Sequence, residues 1–190
     1  LLEQGADVND VDLISGTALI DAAEHHPTQL IPVLLDVQAD AQHQRVDGFT
    51  ALHGVLSHLI SLLKDSAFNT PDDFLTMEAR TRLVEPYHSC VRALVDAGAS
   101  ADVRDAHQVT PLGHALTLGE PTILTLIAQA SQNLDQSDDD GHTTLHWLTR
   151  MPLPESHLVT LADILLRAGA DPSKNNRFSR SPADLALDAG

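Results

Sequence analysis

A short signature, Thr-x-Leu, returns along the chain at nearly constant spacing. It begins at Thr17, Thr50, Thr110 and Thr143, and a degenerate copy, Ser-Pro-Ala, begins at Ser181. The first two copies are 33 residues apart, as are the third and fourth, and the other two gaps, 60 and 38 residues, equal 33 plus insertions of 27 and 5. A fixed period of this length is typical of a stacked-repeat array, in which each unit buries its apolar face on its neighbours. Such arrays usually form binding surfaces and not reaction centres.

The plan of one unit is clearest after residue 139. Asp140 and Gly141 predict a tight turn, because glycine tolerates a positive φ. Thr143 is placed to cap a short helix with its hydroxyl group. The prolines in residues 151–154 end that helix, since proline lacks a backbone donor and clashes with the preceding turn. A second helix is predicted over residues 155–167, where apolar side chains recur at helical spacing.

A second signature, Gly-Ala-Asp or a close variant, closes most of the units. Its first residue supplies the left-handed conformation that stops a helix. The copies are Gly5-Ala6-Asp7, Gln38-Ala39-Asp40, Gly98-Ala99-Ser100 and Gly169-Ala170-Asp171. The third unit closes with Ser131-Gln132-Asn133 instead, so we expect a weaker helix stop there.

The two signatures together resemble the ankyrin repeat family, and the resemblance covers nearly the whole chain. Residues 47–53 match the family's opening half, Asp-x-x-Gly-x-Thr-Pro-Leu-His, and residues 1–9 match its closing half, Leu-Leu-x-x-Gly-Ala-Asp-Val-Asn. The resemblance implies an all-α solenoid of stacked antiparallel helix pairs with β-turn fingers, and no sheet beyond those fingers. It also implies that a protein partner binds the concave face, which the fingers and the first helix of each pair form.

We interpret residues 1–190 as a single ankyrin-repeat domain. Its predicted units are the end of a truncated repeat (1–11), complete repeats (12–44, 45–104, 105–137 and 138–175) and a partial terminal repeat (176–190). Because the chain starts inside a repeat, we expect it to be a piece of a longer protein.

Two stretches depart from the regular pattern. Pro32 falls inside the second helix of the first repeat, where an interior proline costs roughly 3 kcal/mol, so we expect that helix to start late, near Ile31, or to be distorted. Residues of about 65–86 form a long helical insertion in the second repeat: a turn at 69–73 is followed by a short extra helix that ends near Pro86. This insertion either covers its own apolar side chains or contacts a partner or a second copy.

The charge of the chain limits its partners. The net charge is −16, with only 11 Lys and Arg residues, which argues against nucleic acids and anionic membranes because both require a basic face. A basic protein or peptide is the natural complement, although the acidity is equally consistent with a role in solubility alone. Cys90 is the single cysteine, so no internal disulfide forms, and we expect an intracellular location in the cytoplasm or nucleus. The oligomeric state stays open.

We find no pattern for catalysis, a cofactor or a metal. The chain lacks a Gly-x-Ser-x-Gly elbow, a P-loop and a Gly-x-Gly-x-x-Gly motif. Among 11 histidines, His53 and His146 hold the family's Thr-x-Leu-His position, where the resemblance implies bonding to the turn backbone. Residues 138–141 look superficially like a calcium loop but lack its alternating ligands, and we interpret them as an acidic finger.

The candidate contacts lie on the fingers and inner helices. Trp147 is the anchor, because tryptophan is enriched among residues that dominate binding free energy; the alternative is that it packs as core under residues 151–154. Along the fingers we expect charge polarity, with apolar first fingers, an acidic later one, and a basic last one at Lys174, Arg177 and Arg180. The candidate partner-binding residues are Leu13, Ile14, Val46, Phe49, His58, His107, His114, Thr117, Asp139, Asp140, His142, Trp147, Arg150, Arg177 and Phe178.

Three functions fit these observations. The first is a non-catalytic protein-interaction module within a larger protein. The second is the substrate-recognition part of a larger enzyme, such as a ubiquitin ligase or a microbial effector. The third is an acidic clamp that holds a basic segment of its own parent protein. The fold class alone does not choose the partner.

Overall fold

The helices form a two-layered stack. The computed structural model describes residues 6–68 and 77–189. Its helices are α1 Ala18–His25, α2 Pro27–Asp36, α3 Ala51–Phe68, α4 Met77–Asp96, α5 Pro111–Leu118, α6 Pro121–Ala130, α7 Thr144–Leu148, α8 Glu155–Ala168 and α9 Pro182–Ala189. One layer contains α1, α3, α5, α7 and α9 in that order, and the other contains α2, α4, α6 and α8. Within those residues no strand forms, and one isolated bridge joins Val11 and Thr17. The all-helical prediction is confirmed.

The core lies between the two layers. Leucine and isoleucine supply most of it, as expected for a chain with 3% aromatic residues. The largest fully buried side chains are Leu19, Ile20, Ile31, Leu52, Leu56, Leu59, Leu94, Ile123, Leu124, Ile127, Leu161 and Leu165. Each unit has too little apolar area to fold alone, so burial between neighbours stabilises the array.

Five turns connect the units and share one hydrogen-bond pattern. They are residues 12–16, 45–49, 105–109, 138–142 and 176–180, here called fingers one to five. In each finger the N–H of the first residue donates to the carbonyl of the fifth, and the N–H of the fourth donates to the carbonyl of the first, at 2.9–3.1 Å. This is the pattern of a three-residue hairpin loop with a left-handed fourth position.

That fourth position is left-handed in every finger, with φ between 57° and 80°. Glycine fills it at Gly48 and Gly141, whereas Ser15, Gln108 and Ser179 fill it in the other fingers. Glycine is required at position 48 for a second reason. A Cβ there would lie 2.0 Å from the carbonyl oxygen of Arg104, the residue just before the third finger.

A side-chain acceptor at the first position holds four of the fingers. Asp12, Asp105, Asp138 and Asn176 each accept the N–H groups of the third and fifth finger residues at 2.7–3.0 Å. In the second finger, where Arg45 takes this position, Asp47 accepts from Phe49 instead. The acceptor fixes the turn locally, which explains why glycine is not needed at every left-handed position.

The helix stops follow the second signature. Gln38, Gly98 and Gly169 are left-handed, and the alanine after each donates to a carbonyl five residues back, which is the Schellman arrangement. Ser131 is extended, with φ −72°, so the third unit lacks this stop. The Asp102 carboxylate of the preceding unit compensates by accepting from the Ser131 hydroxyl and the Gln132 N–H.

The late start expected for α2 and the extra helix expected to end near Pro86 are both wrong, whereas the alternative for α2, a distorted helix, stays a prediction. Helix α2 begins at Pro27, not near Ile31, and contains Pro32. Helix α4 runs through Pro86 without a break, so no separate extra helix ends there. Both prolines are exposed, and the carbonyls they leave unbonded, at Thr28 and Arg82, belong to exposed residues that water reaches.

The insertion therefore lengthens both helices of the second unit. Helix α3 has 18 residues and α4 has 20, against 8 and 10 for α5 and α6. The turn expected at residues 69–73, with Thr70 as cap, lies outside the described residues. Near its start, α4 contacts the next unit through Arg80, which pairs with Glu120 and donates to the Leu118 carbonyl at 3.3 Å. No helix in residues 6–68 or 77–189 has the length and apolar character needed to cross a bilayer.

Candidate functional site

A groove opens between the third and fourth fingers and the helices that follow them. It encloses about 680 Å³, within the range of ligand-binding clefts. Helices α5 and α7 form its inner side, and the loop after α7 forms one wall. The lining residues are Arg104, His107, Gln108, Val109, Thr110, Gly113, Leu116, Thr117, Gln136, Ser137, Asp138, His142, Thr144, Trp147, Arg150, Met151, Pro152 and Leu153.

Trp147 lies on the wall of this groove. Its position follows from the short helix α7, which starts at the Thr143 cap and has ended by Thr149. The indole is 48% exposed. Its ring makes an edge contact with His142, with the centroids 5.8 Å apart, and the Arg150 guanidinium lies 5.8 Å from the centroid of the indole ring. Trp147 is therefore not packed as core under residues 151–154, of which 151–153 line the groove beside it.

The charged groups of the groove are mostly held by the protein itself. Arg104 donates to the Ser137 carbonyl and, at 3.4 Å, to Gln108. Asp138 is engaged by its own finger and lies 3.4 Å from Nδ1 of His142. Arg150 is exposed and forms no ion pair among the described residues.

Five of the predicted contact residues meet at this groove: His107, Thr117, His142, Trp147 and Arg150. His107, Thr117, Trp147 and Arg150 are exposed, whereas His142 is only 4% exposed. The sequence predicts each of them as a partner contact, and the structure brings these five to one groove.

His114 does not join them. Its Nε2 lies 3.2 Å from Oδ2 of Asp105, and its ring packs edge-on against His53. Asp105 is nearly buried, so it holds His114 between the second and third units and away from the groove. His114, predicted as a partner contact, therefore does not line the groove beside Trp147, because a buried acceptor holds its imidazole.

His58 also lies elsewhere. Its Nδ1 is 3.0 Å from the hydroxyl of the buried Tyr87 on α4, so the imidazole sits between the two layers and not on the concave face. Burial lowers the pKa of His58, and the nearby His25 and His26 lower it further. His58, predicted as a partner contact, therefore does not line the groove, because α3 presents this position to Tyr87 on α4.

The finger tips carry the remaining candidates. Leu13, Ile14, Val46 and Phe178 are exposed apolar side chains, whereas Phe49 is half-buried between the His53 ring and the Arg45 guanidinium. These exposed tips are scattered over fingers one, two and five.

The charged tips are not separated as expected. Asp139 is exposed, but Asp140 pairs with Arg177 of the next finger at 2.6 Å. Lys174 donates to the Asp135 carbonyl at 2.6 Å. The acidic fourth finger and the basic fifth finger that the sequence predicts therefore lie against each other, and Asp140 and Arg177 neutralise each other in part.

Two histidines hold neighbouring units together. Nδ1 of His53 accepts the Thr50 N–H at 3.2 Å, and Nδ1 of His146 accepts the Thr143 N–H at 3.0 Å. Since a backbone N–H only donates, both Nδ1 atoms are acceptors and both Nε2 atoms carry the proton. Nε2 of His53 then donates to the Val109 carbonyl in the next finger. The bonding of these histidines to turn backbone, implied by the family resemblance, agrees with this geometry.

His53, Asp105 and His114 are the one group of described residues whose ligand atoms cluster as a metal site requires, all within 4.8 Å. Their hydrogen bonds oppose that use. Burial, followed by the charge of His114, lowers the pKa of His53 to about 4, which keeps the ring neutral. In the tautomer described above, however, Nε2 carries the proton, so this atom has no lone pair to offer a metal ion. Burial acts to raise the pKa of Asp105, and hydrogen bonds from Val109 and His114 outweigh it, so that pKa is lowered.

A second, smaller hollow lies beside the first finger. It encloses about 280 Å³. Its lining is mainly acidic, unlike that of the larger groove beside Trp147, which we call the Trp147 groove. Its charged lining residues are Asp10, Asp12, Asp21, Glu24 and Arg45. Arg45 pairs with Glu24 at 3.2 Å and with Asp47 at 2.8 Å, so the local field remains negative.

Sequence reasoning missed the walls of the groove. Val109, Leu116, Met151 and Leu153 supply its apolar lining, but in the sequence they read as ordinary core positions or as a helix break. Gly113 was the available signal. It takes the place that His53 and His146 hold in their own repeats, and a missing side chain there leaves space beside the next unit.

Comparison with known proteins gives partial similarity. No family model matches the chain. A stretch of 56 residues, 30% of this chain, is 32% identical to the E3 ubiquitin-protein ligase KEG of Arabidopsis thaliana. A stretch of 126 residues, 65% of this chain, is 29% identical to the poly(ADP-ribose) polymerase tankyrase of Caenorhabditis elegans. These matches span 3% and 5% of the two relatives.

Proposed function

We propose that this chain is an ankyrin-repeat domain that binds a segment of a partner protein on its concave face, in the cytoplasm or nucleus, and catalyses no reaction. The observation that carries the proposal is the half-exposed Trp147 on the wall of a groove of about 680 Å³. Burying an exposed indole against a partner removes a large apolar area from water. Tryptophan is also enriched among the residues that dominate binding free energy.

The repeated fingers support the family assignment. Five turns with one hydrogen-bond pattern, each followed by a helix of the same layer, are what the resemblance to ankyrin repeats implies. The stacked inner helices and the fingers together give a continuous surface for an extended segment.

The relatives favour one alternative. The two matched proteins are named as a ubiquitin ligase and a poly(ADP-ribose) polymerase, and this chain spans only a few per cent of each. A recognition domain that delivers substrates to a catalytic domain of a larger protein is consistent with that pattern. In this alternative the partner binds the same groove, and a catalytic domain elsewhere in the larger protein then modifies the bound partner.

The test is affinity capture followed by direct binding measurements with the purified partner. We compare the wild-type chain with Trp147→Ala and with Val159→Ala, which removes an exposed apolar side chain from α8. Trp147→Ala should weaken binding about thirtyfold, the equivalent of about 2 kcal/mol, and Val159→Ala should leave the dissociation constant unchanged. Both variants should melt near the wild-type temperature. Intact affinity in Trp147→Ala, or a domain that melts many degrees earlier, contradicts the proposal.

A further inference from the structure

Two exposed aromatic side chains, Trp147 in the wall of the groove and Phe178 on the fifth finger, are linked through contacts with His142. Phe49, Tyr87, Trp147 and Phe178 are the aromatic residues whose side chains are described, and only the last two are strongly exposed, at 48% and 62%. His142 lies between them, with ring centroids 5.8 Å from Trp147 and 6.4 Å from Phe178. An exposed aromatic cluster next to a cleft favours an apolar or aromatic side chain as its occupant.

The charge of this groove is opposite to that of the whole chain. Its lining contains the guanidinium groups of Arg104 and Arg150 and the single carboxylate of Asp138, although the chain carries a net charge of −16. The Asp138 carboxylate is already used by its own finger. Arg150 lies over the indole and forms no ion pair among the described residues. A carboxylate is the complement of this arrangement.

The same arrangement excludes a cationic occupant. A lysine or arginine of a partner could bind the indole face by a cation–π contact, but the Arg150 guanidinium is already near that ring. A second cation would meet like charge. Basic segments are better placed at the hollow beside the first finger, where four carboxylates line the surface with one guanidinium.

His142 supplies an independent observation. It lines the groove and is 4% exposed, and its Nε2 has no hydrogen-bond partner among the described residues. Buried polar atoms without a partner are rare and call for an explanation. Since the Asp138 carboxylate beside Nδ1 only accepts, the proton belongs on Nδ1 and Nε2 is left as an acceptor. Because this atom is buried, it lies within the wall of the groove, and a bound peptide does not reach it in this conformation.

We propose that the Trp147 groove binds an internal segment of a partner protein in which an aromatic or large aliphatic side chain lies next to an aspartate or glutamate. The apolar side chain packs on Trp147 and Phe178, which flank the buried His142 ring, and the carboxylate pairs with Arg150. The inference rests on the proposed function and narrows it to one class of ligand.

The test is selection of peptides from a displayed library of random twelve-residue segments on the immobilised 190-residue chain. Selected peptides should be enriched in Asp or Glu within two positions of Trp, Phe, Tyr, Leu, Ile or Met. Synthetic peptides should then bind Arg150→Glu about tenfold or more weakly than they bind the wild type, and raised salt should weaken wild-type binding. Arg92→Glu makes the same charge change on the exposed side of α4 and should bind like the wild type. Circular dichroism and melting curves check that both variants fold.

The outcomes separate this inference from the proposed function. Selected peptides that depend on Trp147 but are basic, or carry no acidic residue, overturn the inference and leave the binding function standing. Equal binding of the peptides by Arg150→Glu and Arg92→Glu also overturns the inference alone. A library that yields no peptide above background, or only peptides indifferent to Trp147→Ala, overturns both.

Discussion

His146 and Arg180 are joined across two successive units by a 3.0 Å hydrogen bond from the imidazole Nε2 to the main-chain carbonyl. The imidazole is fully buried, and its Nδ1 accepts the N–H of Thr143 at the start of its own helix. His53 makes the equivalent connection to Val109 at 3.2 Å. Each histidine thus caps its own helix and holds the next finger with one neutral ring.

The first prediction concerns pH and His53. Its pKa is lowered to about 4 in the fold, mainly by burial and then by His114, against about 6.5 in the unfolded chain. The unfolded chain therefore binds the extra proton first. Stability should be fully present above pH 6.5 and should fall by roughly 3 kcal/mol as the pH drops from 6.5 to 4.

Denaturant unfolding at several pH values measures this change. The control is His53→Gln, which removes the titrating group at the cost of some stability. Its unfolding free energy should vary less between pH 6.5 and pH 4 than that of the wild type. Parallel curves for the two proteins would show that His53 does not control the acid sensitivity.

The second prediction concerns the carboxylate in the third finger. Asp105→Ala removes acceptors for the N–H groups of His107 and Val109 and for Nε2 of His114, so it should destabilise the chain by about 1–3 kcal/mol. Asp105→Asn keeps an oxygen in the same place, as Asn176 does in the fifth finger, and should cost clearly less. Thermal denaturation measures the stability of both variants. An equal loss of stability in the two would mean that the charge of Asp105, and not its role as a hydrogen-bond acceptor, stabilises the finger.

The third prediction compares two left-handed finger positions. Gly48→Ala places a Cβ 2.0 Å from the Arg104 carbonyl oxygen on a backbone with φ 80°, so it should cost about 3 kcal/mol. Ser179→Gly relieves the same conformation, φ 57°, at an exposed site and should stabilise by roughly 0.5 kcal/mol, because relief of strain is offset by a more flexible unfolded chain. Urea unfolding of the two variants and the wild type measures both changes in the free energy of unfolding. A tolerated Gly48→Ala would mean that the second and third fingers separate easily.

The fourth prediction concerns metals. His53, Asp105 and His114 cluster like a ligand set, but Nε2 of His53 carries a proton that it donates to Val109. Equimolar Zn²⁺ or a chelator should therefore leave the melting temperature unchanged. Calorimetry with zinc supplies a direct check, with His114→Ala as the control. Stoichiometric binding that disappears in His114→Ala contradicts this expectation.

Local signals in the sequence were sufficient for the elements that depend on neighbouring residues. The caps at Thr17 and Thr110 and the left-handed stops at Gly98 and Gly169 were readable because a single residue type carries the geometry. Helix α8 was readable from its spacing of leucines.

Other features depended on contacts that no local pattern contains. Helix α4 passes through Pro86 because that face is exposed to water, and a sequence does not state which face of an unknown helix is exposed. His114 and His58 turn away from the groove because Asp105 and Tyr87 hold them. The left-handed Ser15, Gln108 and Ser179 were missed because their turns are fixed by an acceptor three residues earlier.

Gly113 determines where the array has a recess between two of its units. A histidine hydrogen bond joins the second unit to the third at His53, and another joins the fourth unit to the fifth at His146. Between the third and fourth units this bond is absent, because Gly113 holds the equivalent position and has no side chain. The third and fourth units are joined there by other contacts: Arg104 donates to the Ser137 carbonyl, the His157 Nε2 lies 2.6 Å from the Gly119 carbonyl, and α5 and α6 contact α7 and α8. The loss of one imidazole thus gives the array a recess without disconnecting its units.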